Sequence, residues 1–138
     1  MGKLTRFSVS IEADLLERFL RMARRHGWGN RSEALRNAMR DSLVREEWEG
    51  DAEIVGTLTL VYDHHKRELT DRLTNIQHDH HDAVLAATHI HLDHDNCLEV
   101  IAMRGSATEV QKIADSLIGT RGVKHGKLSA TTTGKRLR

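Results

Sequence analysis

Apolar and polar residues alternate strictly over "RFSVSI". Phe7, Val9 and Ile11 fall on one face and Arg6, Ser8 and Ser10 on the other, the two-residue period of a strand. The period then lengthens. In "EADLLERFLRMARRHG", Leu15, Leu16, Phe19, Leu20 and Ala23 recur at helical spacing, with Glu12 and Asp14 suited to the N-terminus and Gly27 to the stop. "GWGN" reads as a turn. "NRSEALRNAMRDSLVREE" predicts a second helix whose stripe is Ala34, Leu35, Ala38, Met39 and Leu43. Asn30 and Glu33 have the spacing of a capping box, with Asn in place of the usual Ser or Thr.

The charged stretch "REEWEGDAE" separates this pattern from a different one. After it come a strand "EIVGTLTLVYD", a helix "KRELTDRLTNIQ", strands "AVLAATHIHL" and "CLEVIAM" around "DHDN", a helix "ATEVQKIADSLIG" and a weaker strand "VKHGKLSATT". The order βαββαβ is the ferredoxin-like pattern. The expected class is α+β: a βαα unit over residues 1–48, then a βαββαβ domain over residues 49–138.

A lone strand before two helices has two unpaired edges. A dimer that pairs one such strand from each chain antiparallel resolves this, giving a ribbon-helix-helix whose two-stranded ribbon fits the major groove of duplex DNA. Phe7, Val9 and Ile11 would then face the helices, and Arg6, Ser8 and Ser10 the base edges. Asn30, Arg31 and Ser32, at a helix N-terminus, would meet phosphates. Charge agrees with this placement. The first 45 residues carry ten basic and five acidic side chains, and the remaining 93 carry eleven and fifteen, so the net charge of +1 conceals a basic front end.

The one cysteine, Cys97, cannot form an internal disulfide and is expected as a reduced thiol. No window is apolar enough for a membrane span, and "MGKLTRFSVS" lacks a signal-peptide core, so no membrane partner and a cytoplasmic location are the expectations.

Five of the ten histidines lie between residues 78 and 91. On a strand, His89 and His91 share a face. Cys97 joins that face if the hairpin loop is odd, as with Asp93–Asp95, and leaves it if the loop is even, as with Asp93–Asn96. Two imidazoles and a thiolate suit a borderline transition metal and leave one position to fill. "QHDHHD" offers His78, His80 or His81, and His64 and His65 are more remote candidates. For His26, His94 and His125 an ordinary surface role is the better reading. No nucleophile–base motif or glycine-rich phosphate loop appears, so neither an enzyme nor a small organic substrate is expected.

Taken together, "RFSVSIEADLLERF", "NRSEALR", "VYDHHKREL", "QHDHHD", "THIHLDHDNCLEV" and "RGVKHGKL" resemble the nickel-responsive transcriptional regulator family over nearly the whole chain. The specific part is His-x-His-x5-Cys with "QH" upstream. The resemblance implies one Ni2+ per subunit in a planar site, held by His89, His91 and Cys97 of one subunit and His78 of the facing one. Tyr62, Gln77 and Glu99 match positions around the metal. It also implies an ACT-type second domain that assembles a homotetramer, a dimer of dimers bound to operator DNA, and a repressor of nickel uptake. Arg6, Ser8 and Ser10 match base-reading positions where threonine is commoner than serine. Asp79 interrupts a run that is often all histidine. Asn37 stands where members carry an acid one turn after the residue matching Glu33, which weakens the expectation of an interdomain cation site. The readings left open are a copper- or zinc-responsive repressor of the same architecture, a metal storage or delivery protein, and an antitoxin with incidental histidines.

Overall fold

The computed structural model describes residues 2–137. Two compact units emerge, one built on the chain up to Leu43 with Arg136 and its neighbour, the other on Val44–Lys135.

In the first unit, α1 spans Ala13–Arg25 and α2 starts at Arg31 and runs to Glu49, its residues from Val44 onward belonging to the second unit. α1 ends as "RHG" dictates. Gly27 takes φ +73°, the Gly27 N–H donates to the Arg24 carbonyl and the Trp28 N–H to the Ala23 carbonyl, which together satisfy two orphan carbonyls of the last turn. α2 starts on Asn30, whose Oδ1 accepts the Glu33 N–H at 2.9 Å. The capping box is half made. The Glu33 carboxylate turns to Arg36 at 2.7 Å and Arg40 at 3.6 Å, two guanidiniums that outcompete the Asn30 N–H.

Residues 6–11, expected to pair only with a strand of a second chain, form no ladder among the described residues of this one. A strand is held by inter-strand hydrogen bonds, and this chain offers the segment no neighbour. Phe7, Val9 and Ile11 are left exposed.

The second unit contains β1 (Glu53–Asp63), α3 (Arg67–Asp79), β2 (Val84–His91), β3 (Asn96–Ser106), α4 (Ala107–Ile118) and β4 (Val123–Thr132). The order βαββαβ is the one read from periodicity, and the strands form one antiparallel sheet in the order β2-β3-β1-β4. Alternation in β1 sends Ile54, Leu58, Leu60 and Tyr62 inward, and β3 does the same with Cys97, Glu99, Ile101 and Met103. Leu69 and Leu73 of α3, and Val110, Ile113, Ala114 and Leu117 of α4, close over that face. Gly126 in β4 is required by closeness: a Cβ there would lie 2.5 Å from Ile118 Cγ1 and 2.9 Å from Leu60 Cδ2.

The "REEWEGDAE" stretch is helical to Glu49 and then turns at Gly50–Ala52, with Asp51 at φ +58°. Trp48 donates its indole N–H to the Thr131 carbonyl at 2.8 Å. Asp51 accepts the Thr108 N–H at 2.7 Å and Ser106 Oγ accepts the Glu109 N–H at 3.1 Å, so two side chains cap α4. Among the described residues no helix is long and apolar enough to cross a membrane.

Candidate metal centre

Loop parity decides which side chains can meet. The Leu92 N–H donates to the Asn96 carbonyl at 3.0 Å, so the β2–β3 loop is the three residues Asp93–Asp95. Its shape follows from Asp93, whose Oδ1 accepts from the Asp95 and Asn96 N–H groups at 2.9 and 2.8 Å. With an odd loop, His91 lies opposite Cys97 and His89 opposite Glu99. On the other flank of β3, Tyr62 lies opposite Cys97 and Leu60 opposite Glu99. Directly opposed residues share a face, so His89, His91, Cys97, Glu99 and Tyr62 all project on the side that α3 and α4 cover.

Glu99 is 1% exposed, and among the described residues it is the charged side chain buried in the core. A carboxylate there must be hydrogen-bonded. The Tyr62 hydroxyl donates to Oε1 at 2.6 Å and the Gln77 amide to Oε2 at 2.7 Å. Tyr62 has one proton, which this contact uses. Its second contact, 3.3 Å to His89 Nδ1, then needs the imidazole to donate from Nδ1. Glu99 Oε1, 3.6 Å from the same nitrogen, reinforces that tautomer. Nε2 of His89 keeps its lone pair for another partner. Burial first, then the hydrogen bond to Glu99 and its charge, with Cys97 a smaller contributor, holds the Tyr62 hydroxyl far above the ordinary tyrosine range, so it stays a donor.

Cys97 is 3% exposed, and its Sγ lies 3.7 Å from the Leu98 carbonyl oxygen. His91 meets His64 edge to face, with ring centroids 4.8 Å apart. The donor set of two imidazoles and one thiol on adjacent register positions fits a borderline divalent ion, with Tyr62 and Glu99 orienting one of the imidazoles. Within the single chain the donor atoms of His89, His91 and Cys97 do not gather within 4.8 Å of one another, and His78 does not join them. His78 is exposed at the C-terminal end of α3 and lines a shallow depression with Thr74, His81, Leu85 and Ala87. Gln77, its neighbour, is the residue that reaches Glu99.

Arg6, Ser8 and Ser10 are exposed on the extended segment, and Arg31 and Ser32 are exposed in the first turn of α2, beside the capping Asn30. Periodicity and spacing alone did not single out Tyr62, Gln77 and Glu99. A glutamate at an inward position of an otherwise apolar strand, "CLEVIAM", was the available signal. The gathering of His64 and His65 about His94 was missed, because it depends on two loops far apart in sequence.

The family model described as the NikR C terminal nickel binding domain matches residues 55–131. The model described as ribbon-helix-helix protein, copG family, matches residues 5–46. A putative nickel-responsive regulator of Geobacter sulfurreducens is 59% identical over 138 residues, 99% of each chain. Those of Solibacter usitatus and Nitratidesulfovibrio vulgaris are 52% identical over 139 residues, all of each chain, and 53% identical over 138 residues, 99% of each chain. An uncharacterized protein of Thermotoga maritima superposes with a TM-score of 0.51 over 56% of this chain and 96% of its own, at 11% identity, a likeness of fold alone.

Proposed function

We propose a function from one premise: the chain belongs to the nickel-responsive regulator family, whose members regulate transcription and are not enzymes. It is a nickel-dependent repressor that binds operator DNA through its ribbon-helix-helix and controls nickel uptake, working in the cytoplasm where the DNA is. The observation that carries this reading is the odd-loop register, which sets His89, His91 and Cys97 on one face beside the Tyr62–Glu99–Gln77 network.

In this reading one Ni2+ per subunit is held by His89, His91 and Cys97, with His78 supplied by the facing subunit of a homotetramer. The exposed position of His78, away from the other three in its own chain, supports a ligand given in trans. Nickel supplies a bond across that subunit boundary. The chain's own residues do the rest. Glu99 and Tyr62 fix the tautomer and direction of His89, and Gln77 anchors the end of α3 that carries His78. Favouring one arrangement of the four chains would place the two ribbons on two half-sites, a coupling of about 1–3 kcal/mol. Arg6, Ser8 and Ser10 read bases, while Asn30, Arg31 and Ser32 position phosphates. In this reading the boundary between the DNA-binding and metal-binding parts falls after residue 48.

Cys97→Ala tests this. The parent is expected to show thiolate-to-nickel bands in the near-ultraviolet and visible and to bind operator more tightly with nickel. The variant is expected to lose both while keeping its far-ultraviolet circular dichroism. If the variant still tightens on DNA by the parent's factor at equal nickel occupancy, the reading is wrong. A zinc-responsive protein would bind metal with no such bands. Mixed oligomers of His78→Ala and Cys97→Ala chains should regain part of the band if the ligand is in trans.

A further inference from the structure

The chain enters the second unit along α2 and leaves it along β4, and the two meet there, because the Trp48 indole N–H donates to the Thr131 carbonyl at 2.8 Å. After β4 the backbone bends. The Gly134 N–H donates to Thr132 Oγ1 at 3.2 Å and the Lys135 N–H to Thr133 Oγ1 at 3.4 Å, so two hydroxyls shape the turn. Lys135 stays with the second unit, its Nζ 3.9 Å from Glu53 Oε2. From Arg136 the chain groups with the first unit instead. Leu137 is half-buried. Arg136, beside it, is exposed and makes no ion pair or side-chain hydrogen bond among the described residues.

Charge sorts along the same boundary. Residues 1–43 carry nine basic and five acidic side chains, and residues 136–138 add two basic and no acidic ones. Residues 44–135 carry ten basic and fifteen acidic. The cations after residue 135 thus group with the basic unit and not with the acid-rich one, where carboxylates were available to pair them.

We infer that the segment after β4, through Arg136, is a further contact to DNA phosphates, added to the ribbon and to the start of α2. This rests on the proposed function, in which the first unit binds duplex DNA, and extends the surface that meets it. The duplex carries one negative charge per about 1.7 Å of its axis, so an unpaired guanidinium on the bound unit meets phosphate whatever the base sequence. Half-buried Leu137 keeps the segment ordered, which lowers the entropy lost on contact. Such a contact adds affinity without selectivity.

The test uses the full chain with nickel, on operator and scrambled duplexes, over a series of sodium chloride concentrations. Arg136→Gln is expected to weaken binding to both duplexes by the same factor, and to reduce the slope of log affinity against log salt by about one for each Arg136 in contact. Arg136→Lys keeps the charge and should restore most of the slope. Lys112→Gln removes one charge from an exposed position of α4 and should leave the slope as in the parent. An Arg136→Gln slope and affinity equal to the parent's overturn the proposal and leave the DNA-binding reading intact. An equal drop in slope from Lys112→Gln also overturns it, by assigning the effect to net charge. Loss confined to the operator overturns the phosphate assignment and makes Arg136 a base reader. A parent that binds neither duplex overturns the DNA-binding reading itself, and this proposal with it.

Discussion

Residues 44–135 bury fifteen apolar side chains in one cluster, whereas the described residues before 44 bury two, Ala23 and Ala34. The difference is not one of supply. The first stretch carries Phe7, Val9, Ile11, Leu15, Leu35, Met39 and Leu43, all exposed. In the second stretch a four-stranded sheet and two helices enclose a core within one chain. In the first, an amphipathic segment and two helices leave apolar faces that one chain cannot cover. A face of that size in water marks an interface, and under the proposed function a second copy of the chain covers it.

Two substitutions set these halves against each other, and their effects should be the largest. Ile101→Ala opens a cavity in a core position that is fully buried, and should cost about 2–5 kcal/mol by urea denaturation at matched protein concentration. Val9→Lys removes no buried contact within the chain, so a self-contained front end would be indifferent to it. If the front end folds by pairing, the variant should instead lose helical signal and operator binding together, and raising protein concentration should restore part of both. Equal insensitivity of parent and variant to concentration would break the comparison.

Arg6→Ala should act one step lower, on recognition rather than folding. Arg6 is exposed on the polar side of the alternating segment, and loss of a bidentate contact to guanine costs about 1–3 kcal/mol. Gel shifts on operator and scrambled duplexes should show the operator affinity fall toward the scrambled one, with the melt of the parent retained. A uniform loss on both duplexes would assign Arg6 to phosphate contact instead.

The same contrast explains what could be read from the residues alone. The βαββαβ order was legible because most elements of the second unit bury one face inside their own chain, and burial writes the period; β4, with no fully buried residue, reads as the weaker strand. β2 shows the rule most plainly. It is an edge strand exposed along nearly its whole length, and its place came from the turn "DHDN" and its partner β3. The segment over residues 6–11 has the clearest alternation in the chain and yet no ladder among the described residues, because a period records a face and not the strand that would pair beside it. At the candidate metal centre, His89, His91 and Cys97 stood out by residue type and spacing, but loop parity did not. The Asp93 carboxylate settles that parity by capping Asp95 and Asn96, a choice between two loop lengths that the letters leave open. The capping box at Asn30 was half legible for a related reason: spacing places Glu33 in reach of Asn30, while Arg36 and Arg40 compete for it.

The smallest effect concerns pH, and it should appear in one half only. The N–H and hydroxyl of Thr108 hold the Asp51 carboxyl below the ordinary aspartate range. A depressed carboxyl contributes stability that is fully present above its unfolded value, about pH 3.9, and is lost as pH falls through the folded value. Acid should therefore loosen the cap of α4, leaving Ser106 as the remaining acceptor for that first turn. Asp51→Asn separates charge from geometry, since its amide oxygen can still accept from Thr108. At neutral pH the parent should be slightly more stable than the variant in the unfolding of the second unit. As pH falls below the unfolded value, the gap should narrow. Other carboxylates titrate in the same window, among them Glu53, which Arg104 holds low, so the difference between parent and variant is the quantity to read. A gap that stays constant with pH would show that Asp51 acts by shape alone, and a gap in operator binding would show that the cap reaches the other half.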